Sequence, residues 1–380
     1  MAVLNRTHPT LATECYSDPA IYRRELEAIW FRDWFCVGRA SDWPQTGDYR
    51  LVTFGDQNIV VLRDEQGKFR AFHNTCRHRG AVLCELEQGR FASGRVVCPY
   101  HAWTYALDGS LQATPRRVPA VDFDANSYSL YSVHVDQWRG FVFINLAGTP
   151  PRSLSDALAP DAATLASWPL DEQCLAHRET HTVACNWKLF WENYFECYHC
   201  PGVHPELSRL VPVYGMGLLG LDEDPGFDPG AGIASAARVA PGKHTWSADG
   251  ELRSALLAGV APAMIEDGMR FATFLPSLFV VAHRDYVRSM RVRPLGPEAM
   301  EICIDWLVGA DVDLRTLDVA RLTEFARTVF LQDARVCELA QRGMRCREHK
   351  AGVLVPQEYD VLAFDQWVQA RLLDAAAAIP

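Results

Sequence analysis

The spacing of apolar positions changes twice along the chain. Between residues 16 and 34 they recur at helical intervals, with Ile21, Leu26, Ile29 and Trp30 on one stripe. Asp18 supplies a cap, and Pro19 a first-turn residue that needs no N–H partner. From 36 to about 146 the period drops toward two, in segments 49–54, 57–63, 69–72, 95–97 and 140–146, with Asp and Gly marking turns at 64–67 and 108–110. That pattern predicts a small all-β domain of short strands. Segment 147–185, rich in Pro, Ala and Asp, reads as a hinge leading into a helix that begins near Asn186. Segments 269–281, 286–294 and 300–308 then read as strands, with a turn at Gly296 and Pro297, and a long helix from about 314 to 342 ends at Gly343.

Composition narrows the function classes. With 380 residues, 49% hydrophobic and 11% aromatic, the chain has enough apolar side chains for a large core in two domains or one elaborated one. A formal charge of -10 argues against nucleic acid or an anionic membrane as the main partner. No segment approaches the roughly 20 apolar residues a membrane span needs, and residues 1–13 lack a signal-peptide core, so the expected location is the cytoplasm. The twelve cysteines are then expected to be reduced thiols and metal ligands rather than a disulfide framework.

Two stretches concentrate ligand-type residues. Cys76-Arg-His78 and, twenty positions after His78, Cys98-Pro-Tyr-His101 each place a thiol and an imidazole on one tight loop. A Cys2His2 zinc site uses such residues, and so does a [2Fe-2S] centre with Cys on one iron and His on the other, whose neutral imidazoles raise its reduction potential. Cys84, between the loops with no His partner, reads as packing. The second stretch is 186–204. A helix there sets Glu192, Glu196 and His199 on one face at i, i+4 and i+7, and Pro201-Gly202 stops it. His199 and His204 stand about 140° apart on a regular helix, so they share an ion only if the chain bends between them. Two imidazoles leave iron or zinc short of a ligand, so a carboxylate is expected from elsewhere. Two further patterns carry no such weight. The G-x-G-x-x-G spacing at 215–220 has no clear strand before it and prolines after it, and Cys197-x-x-Cys200 lacks a redox context.

These stretches resemble the catalytic α subunit of the Rieske non-heme iron oxygenases over nearly the whole chain. Asn74-Thr-Cys-Arg-His-Arg-Gly-Ala and Cys98-Pro-Tyr-His-Ala-Trp-Thr-Tyr-Ala-Leu-Asp-Gly look like the cluster loops, and 186–204 looks like the iron segment. Ala102 departs from the usual Gly. The resemblance implies an α+β fold, a small all-β Rieske [2Fe-2S] domain plus a helix-grip catalytic domain with an antiparallel sheet around a long C-terminal helix. The domains expected are 1–37, a helical segment packing on the catalytic domain, then 38–150 for the Rieske cluster and 151–380 for the mononuclear iron.

The same resemblance makes Cys76, His78, Cys98 and His101 the cluster ligands, and His199, His204 and Asp333 the Fe(II) ligands, with Glu338 the alternative to Asp333. Glu196 takes the place of the carboxylate that bridges one subunit's cluster to the next subunit's iron in a head-to-tail homotrimer or a multiple of one. The implied activity uses O2, with NAD(P)H electrons arriving only through a separate flavin/[2Fe-2S] reductase or a ferredoxin. Glu in the bridging position, and the wording of 192–207, look most like members that hydroxylate or N-demethylate quaternary ammonium compounds. For such a substrate Trp191, Tyr194, Phe195 and Tyr198 are candidates for a cation cage, or are ordinary core. An aromatic-ring hydroxylating oxygenase is the alternative substrate branch. A non-enzymatic Rieske electron-transfer protein and a zinc protein are the alternatives from other classes.

Overall fold

The computed structural model describes residues 4–217, 238–260 and 269–377. Contacts divide the chain into two compact units, Trp30–Ala157 and a second made of Met1–Ile29 with Leu158–Pro380. In the smaller unit, short runs of β-branched and aromatic residues form ten strands: β1 (Phe35–Arg39), β2 (Asp48–Phe54), β3 (Gln57–Arg63), β4 (Phe69–His73), β5 (Gln88–Arg90), β6 (Arg95–Val97), β7 (Thr104–Ala106), β8 (Leu111–Ala113), β9 (Ser132–Trp138) and β10 (Phe141–Asn145). Seven make one antiparallel sheet in the order β1-β10-β9-β4-β3-β2-β5, and β6-β7-β8 form a second. The turn after β3 is built by Asp64, whose carboxylate accepts from the backbone N–H groups of Gln66 and Lys68 at 2.9 and 2.8 Å and from Arg70 at 2.7 Å. Leu62, Phe72, Val96, Tyr105 and Leu107 share one core with Cys76 and Cys98, so the two loops that carry ligand-type residues start from a rigid floor.

The larger unit contains a five-stranded antiparallel sheet and the helices that face it. Its strands are β11 (Cys174–Val183), β12 (Met269–Phe274), β13 (Leu278–His283), β14 (Val287–Gly296) and β15 (Ala299–Val308), in the order β11-β15-β14-β13-β12. The α-helices of the described residues are α1 (Pro19–Glu25), α2 (Leu154–Ala162), α3 (Trp187–Tyr194), α4 (Cys200–Val203), α5 (Pro205–Leu210), α6 (Pro212–Gly215), α7 (Val319–Gly343) and α8 (Tyr359–Ala377); α2 spans the boundary between the units in sequence. Helix α7 buries Leu322, Phe325, Ala326, Val329, Phe330, Ala334, Cys337 and Gln341, a stripe at three- and four-residue spacing, and Asp318 caps it by accepting from the N–H of Arg321 at 3.1 Å.

Several expectations change. Segment 147–185 is not a plain hinge: it contains α2 and the strand β11, which pairs along β15. The run 269–281 is two strands, β12 and β13, joined by a tight turn. The helix predicted through His199 stops at Tyr194, and Pro201 opens the separate short helix α4 instead of ending a long one. Helix α8 follows α7, so the long helix is not the last element. In the dinucleotide-like pattern, helix α6 stands where a strand is needed, and positions 218–220 lie outside the described residues. One cysteine pair, Cys197 and Cys200, is a disulfide, against the expectation of thiols throughout; the other ten cysteines are free.

An ion-pair cluster fixes α7 on the sheet. Arg327 donates through Nε to Glu179 of β11 at 2.8 Å, and His177 and His181 each lie 3.1 Å from the same carboxylate. Desolvation alone would raise the pKa of Glu179, but hydrogen bonds from Arg327 and His181 outweigh it and bring it down to about 2. The folded value lies below the ordinary 4.5, so this stabilisation is complete above pH 4.5 and is lost as pH falls through 2. Glu179→Gln is expected to cost roughly 3 kcal/mol near pH 6, at about 1.4 kcal/mol per pKa unit, and to flatten the acid limb. Urea midpoints measured from pH 6 to pH 2 check this, and an unchanged limb would show that the cluster does not hold α7.

Candidate metal centres

In the smaller unit the two ligand loops are short and internally bonded. After β4, the N–H of Cys76 donates to Ala81 O at 2.8 Å and that of Gly80 to Cys76 O at 3.0 Å. The buried Asn74 side chain ties down the returning loop, accepting from the N–H groups of Leu83 and Cys84 at 3.0 and 2.9 Å and donating to Cys84 O at 2.7 Å. Between β6 and β7 the second loop is closed by Cys98 N–H on Trp103 O at 2.8 Å. Ala102 within it has φ of 56°, and its N–H reaches Cys98 O at 3.1 Å. A left-handed residue with a Cβ costs about 1–2 kcal/mol, which explains why Gly is the usual residue there and why the change touches loop energy, not ligands.

The four cluster candidates come together in an ordered way. Cys76 and Cys98 are 3% and 2% exposed, while His78 and His101 are exposed with ring centroids 4.7 Å apart. His78 stacks on Trp103 at 4.8 Å and His101 on Tyr100 at 3.7 Å. Tyr105 lies with its hydroxyl 3.2 Å from Cys76 Sγ. Burial, and then the neighbouring Cys76, raise the Cys98 thiol, and desolvation with the charges of His101 and Arg79 lowers His78. Two sulfurs inside and two imidazoles at the surface fit a mixed Cys/His [2Fe-2S] cluster, with its histidine edge open to an electron partner. Cys84 has a thiol pushed up to about 12 by burial and remains a packing residue.

In the larger unit three donor atoms converge at the end of α3. His199 Nε2 and His204 Nε2 are 3.1 Å apart, and Asp333 Oδ1 on α7 lies 2.8 Å from the second and 3.4 Å from the first. Ligands about 2.1 Å from a shared ion and at right angles to each other sit about 3.0 Å apart, whereas tetrahedral ones sit about 3.4 Å apart. The triangle of 2.8, 3.1 and 3.4 Å therefore fits one face of an octahedral ion. Cys200 Sγ is 3.9 Å from His199 Nε2, but its bond to Cys197 removes it as a thiolate ligand.

The neighbours of these donors orient them. His204 Nδ1 is 2.7 Å from Gln332 Oε1, which places the proton on Nδ1 and leaves Nε2 free to ligate. Glu196 holds His199 from the other side, with Oε1 2.5 Å from Nδ1 and Oε2 accepting from the His199 N–H at 3.1 Å. Desolvation would lower His199, but Asp333 and Glu196 together raise it to about 9; burial would raise Asp333, but His199 and His204 hold it below its ordinary value. Gln332 was invisible in the sequence, since only its adjacency to Asp333 marks it. Glu192 does not share the face of Glu196 and His199: it accepts from Tyr16 at 2.8 Å, and burial followed by the charge of Asp365 raises its pKa. Glu338 accepts from the N–H of Ala184 at 3.3 Å instead of joining the donor set.

The four cage candidates separate. Trp191 is core, fully buried and donating to Pro276 O at 2.9 Å, and Tyr198 is 55% exposed. Phe195 packs between Trp191 and Phe364. Tyr194 lies on the sheet, 4.2 Å from Phe279, with its hydroxyl 3.5 Å from Thr273.

Comparison with known proteins agrees with both centres. Residues 33–131 match the Rieske [2Fe-2S] domain and residues 165–374 the ring hydroxylating alpha subunit (catalytic domain). The glycine betaine monooxygenase oxygenase subunit of Pseudomonas aeruginosa is 31% identical over 94% of this chain and 88% of its own length. The carnitine monooxygenase oxygenase subunit of Acinetobacter pittii is 36% identical over 52% of this chain and 53% of its own. The apo form of a quaternary ammonium Rieske monooxygenase superposes with a TM-score of 0.72 at 25% identity over 96% of each chain. A naphthalene 1,2-dioxygenase from Rhodococcus does so with 0.72 at 22%, covering 97% of this chain and 94% of its own, a likeness of fold alone. Among the described residues no helix is long and apolar enough to cross a membrane. The chain belongs to the Rieske-type ring-hydroxylating oxygenases: it is an oxidoreductase, the oxygenase subunit of a multi-component system, and carries a [2Fe-2S] cluster and a catalytic non-heme iron.

Proposed function

We propose that Cys76, His78, Cys98 and His101 hold the cluster, that His199, His204 and Asp333 hold the iron, and that the substrate is a small quaternary ammonium or N-methylated compound. The observation that carries the ligand assignment is the convergence of His199, His204 and Asp333 into one donor face. The likeness to a glycine betaine monooxygenase oxygenase subunit over 94% of the chain supports the substrate class. Iron at this face, fed by the cluster, supplies oxygen activation. One oxygen atom enters a C–H bond beside the substrate nitrogen and the other leaves as water, with two electrons from a separate reductase and two protons from solvent. Gln332 and Asp333 set the ring of His204, and Glu196 sets that of His199, so both imidazoles would present Nε2 to the iron.

The reading places Glu196 as the bridge toward a neighbouring chain's cluster, in a cytoplasmic homotrimer or a multiple of one, since its contact with His199 Nδ1 joins it directly to an iron ligand. Glu196→Ala is expected to keep both centres and normal cluster reduction but to lose about 10- to 100-fold in turnover. Cluster oxidation in a single turnover with substrate at the wild-type rate would remove Glu196 from the path.

The function itself is tested by oxygen uptake with a flavin/[2Fe-2S] reductase, NADH and a panel containing glycine betaine, L-carnitine, choline and naphthalene. Uptake coupled to an N-methylated compound supports the reading, and uptake with naphthalene alone replaces it with ring hydroxylation. Mixing Cys76→Ser with His199→Ala under subunit exchange should restore activity that neither parent has. No recovery in hybrids confirmed by mass would rule out transfer between chains.

A further inference from the structure

The sheet of the larger unit carries arginines on both faces, and one of them stands out. Arg178 and Arg291 share Asp305, at 2.5 and 3.6 Å, and Arg293 pairs with Glu301 at 2.9 Å. Arg288 on β14 is 6% exposed and its Nε has no hydrogen-bond partner; among the described residues no carboxylate lies within ion-pair distance, and the charge of Asp333 reaches it only from farther off. A buried guanidinium without a counter-charge is disfavoured unless something else supplies one.

Register shows which way it faces. Arg288 lies opposite Val281 of β13 and Trp306 of β15, so the three side chains share one face of the sheet. On β13 the same face carries Phe279, which stacks on Tyr194 at 4.2 Å, and His283. Arg288 is therefore on the side covered by α3, and its charge acts on Tyr194, Tyr286 and the candidate iron ligand Asp333. More unsatisfied groups lie on this face: both ring nitrogens of the fully buried His283, and Trp246 Nε1. Trp246 lies 5.7 Å from His283 and 6.0 Å from both Phe271 and Tyr214, so aromatic walls stand beside the unpaired groups. Desolvation, and then the charge of Arg288, keep His283 neutral, so it does not add a second cation.

We propose that Arg288 anchors a carboxylate of the substrate, so that the site takes zwitterions bearing both an N-methylated ammonium and an acid group in preference to ammonium alcohols. A lone cation beside an unpaired Arg288 would be repelled. A zwitterion instead supplies the missing counter-charge through its acid end and leaves its ammonium to the aromatic surfaces. This inference rests on the substrate class proposed above, and the probes below separate the two.

The test is equilibrium binding to the iron-loaded protein by calorimetry. The probes are glycine betaine, choline and 3,3-dimethylbutyrate, the last being the uncharged-carbon counterpart of glycine betaine. Wild type is expected to bind glycine betaine well and choline weakly. Arg288→Gln should weaken glycine betaine about 10- to 100-fold, the loss expected for a charge-assisted contact, and leave choline unweakened. Arg288→Lys should recover part of the loss. Thermal stability of ligand-free Arg288→Gln should not fall, because an unpaired charge has been removed; a structural arginine would give the opposite. Binding of 3,3-dimethylbutyrate that depends on Arg288, without any binding of glycine betaine, keeps the anchor and rejects the ammonium reading. Equal binding of choline and glycine betaine by wild type rejects the anchor and keeps the ammonium reading, and that comparison needs no variant. Failure of wild type to bind any of the three rejects both.

Discussion

Asp333→Ala is expected to remove the mononuclear iron while leaving the cluster spectrum intact, and to abolish turnover. The reason is the geometry of the donor triangle. Asp333 Oδ1 is the only anionic donor in it and lies within 3.4 Å of both imidazole nitrogens. Without it the set offers only two imidazole nitrogens, 3.1 Å apart, and no anion to offset the charge of a divalent ion. His199 still faces Glu196, but that carboxylate is engaged at Nδ1, on the far side of the ring from the metal position. Iron analysis should fall from about three to about two per chain, with the absorption of the [2Fe-2S] centre unchanged. Glu338→Ala serves as the control, since Glu338 is bonded to the backbone at Ala184 and should leave iron content alone. Full iron content in Asp333→Ala would move the third ligand to another residue.

The parts of this protein that were legible in the sequence are those whose information is local. Strands β6 and β7 of the smaller unit alternate because only one face of each is buried, and α7 runs on through Gly343 to within a residue of where the sequence stops it. The ligand loops stand out because Cys and His in tight spacing are rare without a metal. What was not legible depends on distant partners. Strand β11 reads Cys-Leu-Ala-His-Arg-Glu-Thr-His-Thr-Val, too polar to look like part of a sheet, and is held at the edge by pairing with β15 and by Arg178 on Asp305 and Arg327 on Glu179. Helix α3 stops at Tyr194 although Phe195, Glu196 and Cys197 carry no stop signal; the backbone N–H of His199 is taken by Glu196, which bends the chain into the site. Arg288 looked like one more polar position in a strand, and what distinguishes it is that no hydrogen-bond or ion-pair partner contacts it among the described residues.

Glu25→Ala is expected to destabilise the larger unit by about 3–5 kcal/mol, the range seen when one partner of a buried ion pair is removed. Glu25 and Lys188 are both fully buried, with Lys188 Nζ 2.6 Å from Oε1. The other carboxylate oxygen accepts from Trp187 Nε1 at 2.8 Å. One side chain of α1 therefore fixes two residues in the first turn of α3, the helix that leads to His199 and His204. Lys188 has one further acceptor, Asn186 Oδ1 at 2.9 Å, which also caps α3 through the Lys188 N–H at 2.9 Å. Removing Glu25 leaves an ammonium in the core with that neutral acceptor and the rings of Tyr16 and Trp187, 5.5 and 5.3 Å away, and a cavity beside Trp187. At roughly 2–4 °C per kcal/mol for a unit of this size, the melting temperature should drop by about 6–20 °C. Glu25→Gln should be milder, because its oxygen still accepts from Trp187 while the charge is lost. Replacing both partners, Glu25→Leu with Lys188→Met, should recover most of the stability, since two apolar side chains of similar volume leave no charge uncompensated. Calorimetry of the four proteins decides the matter: a loss below about 1 kcal/mol in Glu25→Ala, the level of an exposed pair, would show that Lys188 finds water or another acceptor and that α1 does not hold the iron helix in place.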